Sequence, residues 1–466
     1  MTFDSLSLSR LQFGVTALFH ILWPILTISL SAFVLAMEAW WVHSNDLSYY
    51  RQARFWGKLL VLNFAVGVVS GIPLEFQFGT NWSSFSEFTG QFIGNILGFE
   101  GAMAFMLEAG FIGIMTLGWD RVPRGVHLFA TAMVALGSSI SAFWIMVANS
   151  WMQTPAGIQV VGGKVVVVDY VAAIFNPAMA TGVAHMWLAA METGLVVVGG
   201  ISAWYLFRRQ HTEFFLQSFK GAVGALLVIA PLQVMLGDAS GVEVFEQQPA
   251  KGAAIEGHWQ TNAPGTGADW SLLAWPNQAT QSNDWSLEVP GMLSLLGTHS
   301  LHGTVVGLRD IPRQDQPPAL PLLYYAFRVM AGVGFLLVAI VTLTAWMLYR
   351  TGGRLSEVLG RRKLLLAWIF AIPLPYIAVE AGWIVREVGR QPWVVYGLLR
   401  TSDAASPVPA ENIIGSLGMF IIFYAVLMAT FAVFALKWLR KGPDMTISPQ
   451  VVLVSKENAV EPQEVL

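Results

Sequence analysis

Five side chains that could bind a metal ion or carry protons fall inside long apolar stretches: His20, Glu100, His185, Met330 and Glu380. An ionisable side chain at bilayer depth costs about 2.5–3.5 kcal/mol on insertion scales, so each requires a compensating interaction. Counted along the predicted helices, all five lie roughly 7–14 Å below the same membrane surface. Low-spin haem iron takes His and Met ligands, whereas an oxygen-reacting haem needs one protein ligand and an open position. The layer therefore predicts several haems near one membrane face.

Each of these residues also has a purely structural interpretation. A single buried His is usually a hydrogen-bonded core residue, and Met fills gaps in many cores. Only His20 and His185, of the eight His residues, are predicted to lie well within membrane spans. The common depth of the five side chains, rather than any one of them, favours cofactor binding.

The composition restricts the chemistry further. The chain is 55 % hydrophobic and 12 % charged, about half the charged fraction of a soluble domain. It contains no Cys, which excludes disulfides, Cys-ligated iron–sulfur clusters, thiolate-ligated haem and covalent c-type haem attachment. No basic block indicates nucleic acid as a partner. Redox chemistry would therefore depend on non-covalent cofactors held by His, Met, Glu or Asp.

Apolar stretches of about 20 residues, the length needed to cross a bilayer, recur nine times. They predict an all-α polytopic membrane helical bundle of about nine transmembrane helices. The expected spans are 12–41, 59–78, 95–118, 126–150, 178–207, 218–237, 321–349, 364–387 and 411–436.

The Lys and Arg residues predict the orientation of this bundle. Most of the 26 fall in alternate loops and in the C-terminal tail, which the positive-inside rule assigns to the cytoplasm. The N-terminus is then outside, as an odd number of helices requires. Four regions follow: helices one to six with the candidate haem ligands (1–237), a long polar loop on the outer face (238–320), helices seven to nine (321–440) and a cytoplasmic tail (441–466), which after Pro443 is predicted to be disordered.

Seven stretches, which follow one another along most of the membrane region, carry a family resemblance. They are SRLQFGVTALFH (9–20), FWGKL (55–59), EFQFGTNW (75–82), EGAMAFMLE (100–108), ALGSSISAFWIMVANSWMQ (135–153), AFRVM (326–330) and VEAGWIVREVGRQPW (379–393). The sequence resembles subunit I of cytochrome bd-type quinol oxidases, including their cyanide-insensitive branch. The last stretch is highly specific.

The resemblance implies three haems, b558, b595 and d, in the cytoplasmic (inner) membrane of a bacterium. By motif position, His185 and Met330 would ligate haem b558, with Arg328 near its propionates. His20 would ligate one of the two high-spin haems, and Glu100 and Glu380 would ligate or neighbour that pair. Arg390 would face propionates; its alternative role is that of an interfacial Arg whose head group reaches water.

Two groups of residues are expected to act in proton transfer and in quinol oxidation. Glu108, eight residues after Glu100 and about 12 Å deeper, would relay cytoplasmic protons, with Ser141 and Asn149 as weaker candidates. Alternatively, Glu108 is a protonated carboxyl paired with a neighbouring helix. Lys251 and Glu256 match a Lys and a Glu of the family's quinol loop, where a carboxylate can accept the quinol proton. Without the resemblance they would be solvated surface charges.

The resemblance thus implies a copper-free, electrogenic quinol:oxygen oxidoreductase of the respiratory chain. It would oxidise ubiquinol or menaquinol near the outer face and reduce oxygen to water with cytoplasmic protons. A second large membrane subunit, and in some members a one-helix small subunit, would be its partners. The absence of a His-rich helix argues against a haem–copper oxidase. One alternative is a multi-pass transporter with a polar midplane site, but the sequence lacks the repeated halves with broken helices that this class predicts. The other alternative is a haem-bearing sensor or assembly subunit.

Two features depart from the family pattern. LRDIPRQDQPP (308–318) leads almost directly into the seventh predicted helix, where long-loop members have many more residues. Tyr376 stands in PLPYIAVE where other members can have Trp. We expect altered loop architecture and altered packing beside the haems.

Overall fold

Nine helices in the described part of the chain are long and apolar enough to cross a membrane. The computed structural model describes residues 4–449, so most of the tail predicted to be disordered lies outside the described residues. The prediction of an all-α bundle of about nine membrane helices is confirmed. The helices are α1 (Ser5–Ser44), α2 (Leu47–Thr80), α3 (Ser83–Leu117), α4 (Arg124–Gln153), α5 (Met179–Phe207), α6 (Thr212–Gln247), α7 (Leu320–Thr351), α8 (Arg362–Val388) and α9 (Ala410–Lys441).

Most of these helices extend beyond the apolar stretches that predict them. The largest differences are at the starts of α2 and α3, which begin at Leu47 rather than 59 and at Ser83 rather than 95, and at the end of α6, which is Gln247 rather than 237. Hydropathy marks only the lipid-facing part of a helix, whereas its ends are set by capping. Asn45, with φ 59°, ends α1, and the Asp46 carboxylate accepts a hydrogen bond from Ser48 N at 2.8 Å to begin α2.

Two of the helices are irregular. Helix α3 contains the π-helical segments Gly90–Gly94 and Glu100–Phe105, and the second of them begins at a predicted site residue. Single π turns inside α-helices occur frequently at functional sites. Helix α8 is divided into Arg362–Ala371 and Leu374–Val388, because Pro373 and Pro375 remove backbone donors.

Aromatic and small residues pack the centre of the bundle. Trp56, Phe215 and Phe219 are fully buried where α2 meets α6. Gly199 and Gly200 of α5 let α8 approach closely, since a Cβ at Gly199 would lie 2.5 Å from the Trp368 ring. Small residues at helix contacts are typical of membrane bundles, where dispersion contacts replace the hydrophobic effect as the main source of packing stability.

The two ends of the bundle differ. At one end lie the strand pairs β1–β2 (Ile158–Val161 and Lys164–Val167), β3–β4 (Trp270–Asn277 and Ser282–Val289) and β5–β6 (Trp393–Val395 and Leu399–Arg400), all antiparallel. We call this end the hairpin face. The basic face is the opposite end, formed by the connections at 45–46, 118–123, 208–211 and 352–361 and by residues 442–449.

The segment predicted as a loop from 238 to 320 is substantially folded. Its first ten residues continue α6, and a short helix follows at Pro249–Glu256, here called the loop helix. The hairpin β3–β4 and a further helix, Met292–Thr298, complete it. The loop helix is buried along its length, so its polar side chains are held inside the protein.

Candidate functional site

The predicted ligand residues are not fully packed, and space that their neighbours do not fill remains beside them. His20, Glu100, His185, Met330 and Glu380 are all half-buried, although each lies several residues inside its helix. Fully packed residues at comparable positions, such as Trp56, have no exposed surface. The five side chains therefore keep accessible surface and do not fill the core.

His185 and Met330 approach this space from different helices. The His185 Nε2 atom lies 3.3 Å from the amide of Gln233 on α6, whereas its Nδ1 is buried without a hydrogen-bond partner. Two glycines allow the side chains their positions. A Cβ at Gly237 would lie 3.4 Å from the His185 ring, and a Cβ at Gly382 would lie 2.9 Å from Met330 Sδ.

His20 is oriented by helix α2. Its Nδ1 lies 2.9 Å from Ser70 Oγ, and Ser70 Oγ in turn donates to the Gly67 carbonyl at 2.8 Å. A Cβ at Gly71 would lie 3.0 Å from His20 Cε1, so the absence of a side chain there lets the ring lie flat against α2. A hydrogen bond to one ring nitrogen fixes the orientation of the other, as is usual for metal-binding His.

Two carboxyls of α3, those of Glu100 and Glu108, are hydrogen-bonded to serines of α4. Ser141 Oγ donates to Glu100 Oε1 at 2.6 Å, and Ser138 Oγ donates to Glu108 Oε1. Gly137 lets the helices approach, since a Cβ there would lie 3.1 Å from Glu108 Cβ. Sequence reasoning treated Ser141 as a weak candidate and did not consider Ser138. Ser138 and Ser141 are three residues apart in ALGSSISAF, so they lie on one face of α4 and mark this polar stripe.

Glu380 of α8 has both carboxylate oxygens buried without a hydrogen-bond partner among the described residues. An unpaired buried carboxyl is costly, and a metal ion or a polar group of a cofactor would compensate it. The Nδ1 of His185 and the Nε of Arg390 are likewise buried without a partner among the described residues, and such atoms would suit the iron and the propionates of a haem.

A second carboxyl of α8, that of Glu387, was not among the residues predicted from the sequence. Glu387, seven residues after Glu380, accepts hydrogen bonds from Asn149 Nδ2 at 2.8 Å and from Arg390 Nη2. Arg386 extends the cluster by donating to Asn149 Oδ1 at 2.5 Å. Seven residues are two helical turns, so Glu387 lies on the same face of α8 as Glu380. That spacing, inside the most specific motif, is the signal that could have identified it.

Lys251 belongs to this cluster and not to a solvated loop. It is 3 % exposed, and its Nζ donates to Gln153 Oε1 of α4 at 2.5 Å. Its aliphatic chain packs against Gly389, and its amine interacts electrostatically with Glu387 and Arg390. Burial and the positive charges of Arg386 and Arg390 hold the pKa of Lys251 well below its usual value.

Glu256, at the other end of the loop helix, pairs with Arg328 of α7. The Arg328 Nη2 donates to Glu256 Oε2 at 2.7 Å, and Trp270 Nε1 donates to the same oxygen at 2.9 Å. Arg328 also donates to the Ser271 carbonyl at 2.7 Å, which ties α7 to the hairpin. Burial raises the pKa of Glu256, and Arg328 partly offsets the effect. The loop helix thus contacts Arg328 of α7 through Glu256 and the end of α8 through Lys251.

Comparisons with known proteins agree on one family. The family model described as cytochrome bd terminal oxidase subunit I matches residues 8–443. The chain is 34% identical to the cytochrome bd-II ubiquinol oxidase subunit 1 of Escherichia coli, covering 96% of this chain and 98% of that one. It is also 34% identical to the cytochrome bd ubiquinol oxidase subunit 1 of Bacillus subtilis, over 95% of both chains.

A solved structure gives the same result. The bd oxidase from Geobacillus thermodenitrificans superposes with a TM-score of 0.85 at 31% sequence identity, covering 94% of this chain and 99% of that chain. The resemblance stated from the sequence is confirmed, and the transporter alternative receives no support. The chain belongs to the cytochrome bd terminal oxidase subunit I family.

Proposed function

We propose that this chain is the haem-bearing catalytic subunit of a respiratory oxidase that oxidises quinol at the hairpin face and reduces oxygen with protons from the basic face. Its family is that of terminal oxidases, with haem cofactors and quinol as the reductant. The observation that carries the proposal is the loop helix. Its Glu256 pairs with Arg328, two residues from Met330, and its Lys251 lies beside Glu387 and Arg390.

In this proposal His185 and Met330 hold haem b558, and His20 holds one of haems b595 and d. Glu100, Glu380 and the newly found Glu387 ligate or neighbour that high-spin pair, and Arg390 faces its propionates. The haems supply electron transfer from quinol to oxygen. The unpaired Nδ1 of His185 and the unpaired carboxylate of Glu380 support these assignments.

The quinol headgroup would bind where the loop helix, the hairpin and α7 meet. Two-electron oxidation of a quinol to a quinone releases two protons. Glu256 is suited to accept the first, because both of its described hydrogen bonds go to Oε2 and leave Oε1 to face the substrate. Arg328 would hold the resulting charge in place. Lys251, whose pKa is lowered by burial, would hydrogen-bond a quinol oxygen or the neighbouring haem-site carboxylate.

On the opposite side Glu108 would relay protons towards oxygen. Its carboxyl is 6 % exposed and is hydrogen-bonded to Ser138 on α4, and Glu100 with Ser141 lies two turns nearer the hairpin face. A proton given up by Glu108 would be replaced from the basic face. Quinol protons leave at one face and oxygen takes protons from the other, so turnover separates charge without a pump.

The proposed orientation places the basic face in the cytoplasm and the N-terminus outside, in accord with the positive-inside rule. Subunit I of this family works within a multi-subunit oxidase. We propose a second large membrane subunit as its partner, with a possible one-helix small subunit. Helices α3, α7 and α9 offer the most exposed apolar surface for such contacts or for lipid.

The quinol site is tested by Glu256→Gln and Lys251→Ala in the intact oxidase. Each should reduce quinol oxidation by about 10²-fold, the lower range for the loss of an acid–base group. Haem spectra and activity with an artificial donor that bypasses the loop should persist. Glu288→Gln, on an exposed side chain of β4, is the matched control. Wild-type quinol oxidation in both variants would place the substrate elsewhere, and haem loss would make the loop helix structural.

A further inference from the structure

A fully buried hydrogen-bonded pair, Glu38–His127, joins three helices near the basic face. Neither residue has more than 1 % exposed surface. His127 Nδ1 of α4 lies 2.6 Å from Glu38 Oε1 of α1, and His127 Nε2 lies 3.0 Å from the Met115 carbonyl of α3. Thr131 Oγ1 donates to the second carboxylate oxygen of Glu38 at 2.6 Å. Nothing assigned to the site above uses this pair.

The hydrogen bonds define how many protons the pair holds. A carbonyl only accepts hydrogen bonds, so His127 Nε2 carries a proton. The short contact between Nδ1 and Oε1 holds a second proton, carried by either the imidazole or the carboxyl. This second proton can leave without breaking the bond to Met115. The remaining neutral His127 and ionised Glu38 still make the hydrogen bond from Thr131.

The Glu38–His127 pair and the predicted relay residue Glu108 are both hydrogen-bonded to helix α4. Three carboxyls are each hydrogen-bonded to α4: Glu38 by His127 and Thr131, Glu108 by Ser138, and Glu100 by Ser141. Thr131 and Ser138 are seven residues apart, so they lie on one face of α4 with a rise of about 10 Å. Met115 and Glu108 have the same spacing on α3. Two or three hydrogen-bonded water molecules would span the gap of about 10 Å between Thr131 and Ser138.

The basic face is close to the pair on its other side. His127 is three residues from the start of α4, and Glu38 is six residues from the end of α1. Aromatic rings cover it: the Trp119 ring lies 3.9 Å from the His127 ring, and Arg54 lies 5.2 Å from the Trp119 ring. A proton from water at this face would need to cross only this layer.

We infer that Glu38 and His127 form a proton-loading station that supplies Glu108 from the basic face. The inference rests on the proposed function. In each transfer, the proton shared by Glu38 and His127 passes through the Thr131 hydroxyl and intervening water to an ionised Glu108. A proton from the aqueous side then restores the pair. Glu38 is therefore the proton carrier, the Thr131 hydroxyl is the first step of the path towards Glu108, and His127 positions the carboxyl.

The test compares two opposite perturbations of Glu38 in the haem-loaded oxidase. Glu38→Gln keeps the shape of the side chain but cannot titrate, whereas Glu38→Asp keeps the acid but shortens its reach. A proton carrier predicts that Glu38→Gln slows proton uptake after an oxygen pulse, followed with a pH indicator, by about 10²-fold. It also predicts a larger solvent isotope effect and milder slowing in Glu38→Asp. A structural role predicts the reverse order and an unchanged isotope effect, which would overturn the inference.

Thr131→Val keeps the test decisive if the Glu38 variants fail to fold. It is nearly isosteric and removes only the hydroxyl, so it should slow proton uptake while haem content is retained. Wild-type uptake in Thr131→Val would overturn the inference. Glu213→Gln, an exposed carboxyl at the basic face, is the control and should leave uptake unchanged. If the wild-type enzyme consumed no oxygen with quinol, the proposed function would fail. If the wild type were active and every station variant matched it, only this inference would fail.

Discussion

The packing of Gly382 against Met330 allows a test of haem ligation that leaves the ligands themselves unchanged. A Cβ at Gly382 would lie 2.9 Å from Met330 Sδ, whereas an ordinary contact with carbon is about 3.5–4.0 Å. Gly382→Ala therefore forces the sulfur to move by roughly 0.6–1.1 Å. The Met side chain is flexible, so the fold can absorb the shift. An iron–sulfur bond cannot be displaced this far without weakening.

The assay is the reduced visible spectrum of the purified oxidase. We expect Gly382→Ala to convert much of the low-spin haem b558 to high spin while haem d and the amount of folded protein are retained. Met330→Leu should give the complete conversion. The matched control is Gly334→Ala on α7, where an added Cβ meets nothing within 4 Å. An unchanged low-spin spectrum in Gly382→Ala and Met330→Leu would show that Met330 is core packing and that the reasoning is wrong.

Four further changes test other parts of the site. His185→Ala should abolish the b558 signal in the same spectra. Glu108→Gln should slow turnover by about 10²-fold, because it preserves the side chain's shape but not its proton, and wild-type turnover would leave Glu108 a structural carboxyl. Burial raises the pKa of Glu256 above its usual 4.5, so quinol oxidation should fall as pH falls through that raised pKa, and Glu256→Gln should lose this pH dependence. Arg328→Met leaves Glu256 buried and unpaired and should lower the free energy of unfolding by about 3–5 kcal/mol, measured by denaturation, with recovery in the Arg328→Met/Glu256→Gln double variant.

The sequence predicts the membrane helices because hydropathy reports directly on lipid exposure. It does not predict where they end, since the ends depend on caps such as Asp46 and on polar extensions such as the last ten residues of α6. The π turn at Glu100 was also invisible in the sequence, because this span is apolar on nearly every side and has no apolar stripe that an added residue would shift.

The candidate site could likewise be predicted only in part. Residues that stand alone in apolar stretches, such as His20 and His185, can be proposed from the sequence because their cost in lipid is large. Lys251 was assigned to a loop, since burial of a short polar helix depends on tertiary packing and not on its own composition. Glu387 was missed within a charged motif, and the Glu38–His127 pair joins residues 89 positions apart. Only the packed bundle shows which charges meet.

The most direct test of the account is a reduced-minus-oxidised visible spectrum of the purified wild-type oxidase, recorded together with oxygen consumption on added quinol. The account predicts low-spin and high-spin b-haem signals, a far-red band from haem d, and oxygen consumption that starts with quinol. A protein that retains its nine helices yet shows no haem signal would contradict the account. Haem signals without quinol-dependent oxygen consumption would support a sensor or assembly role instead.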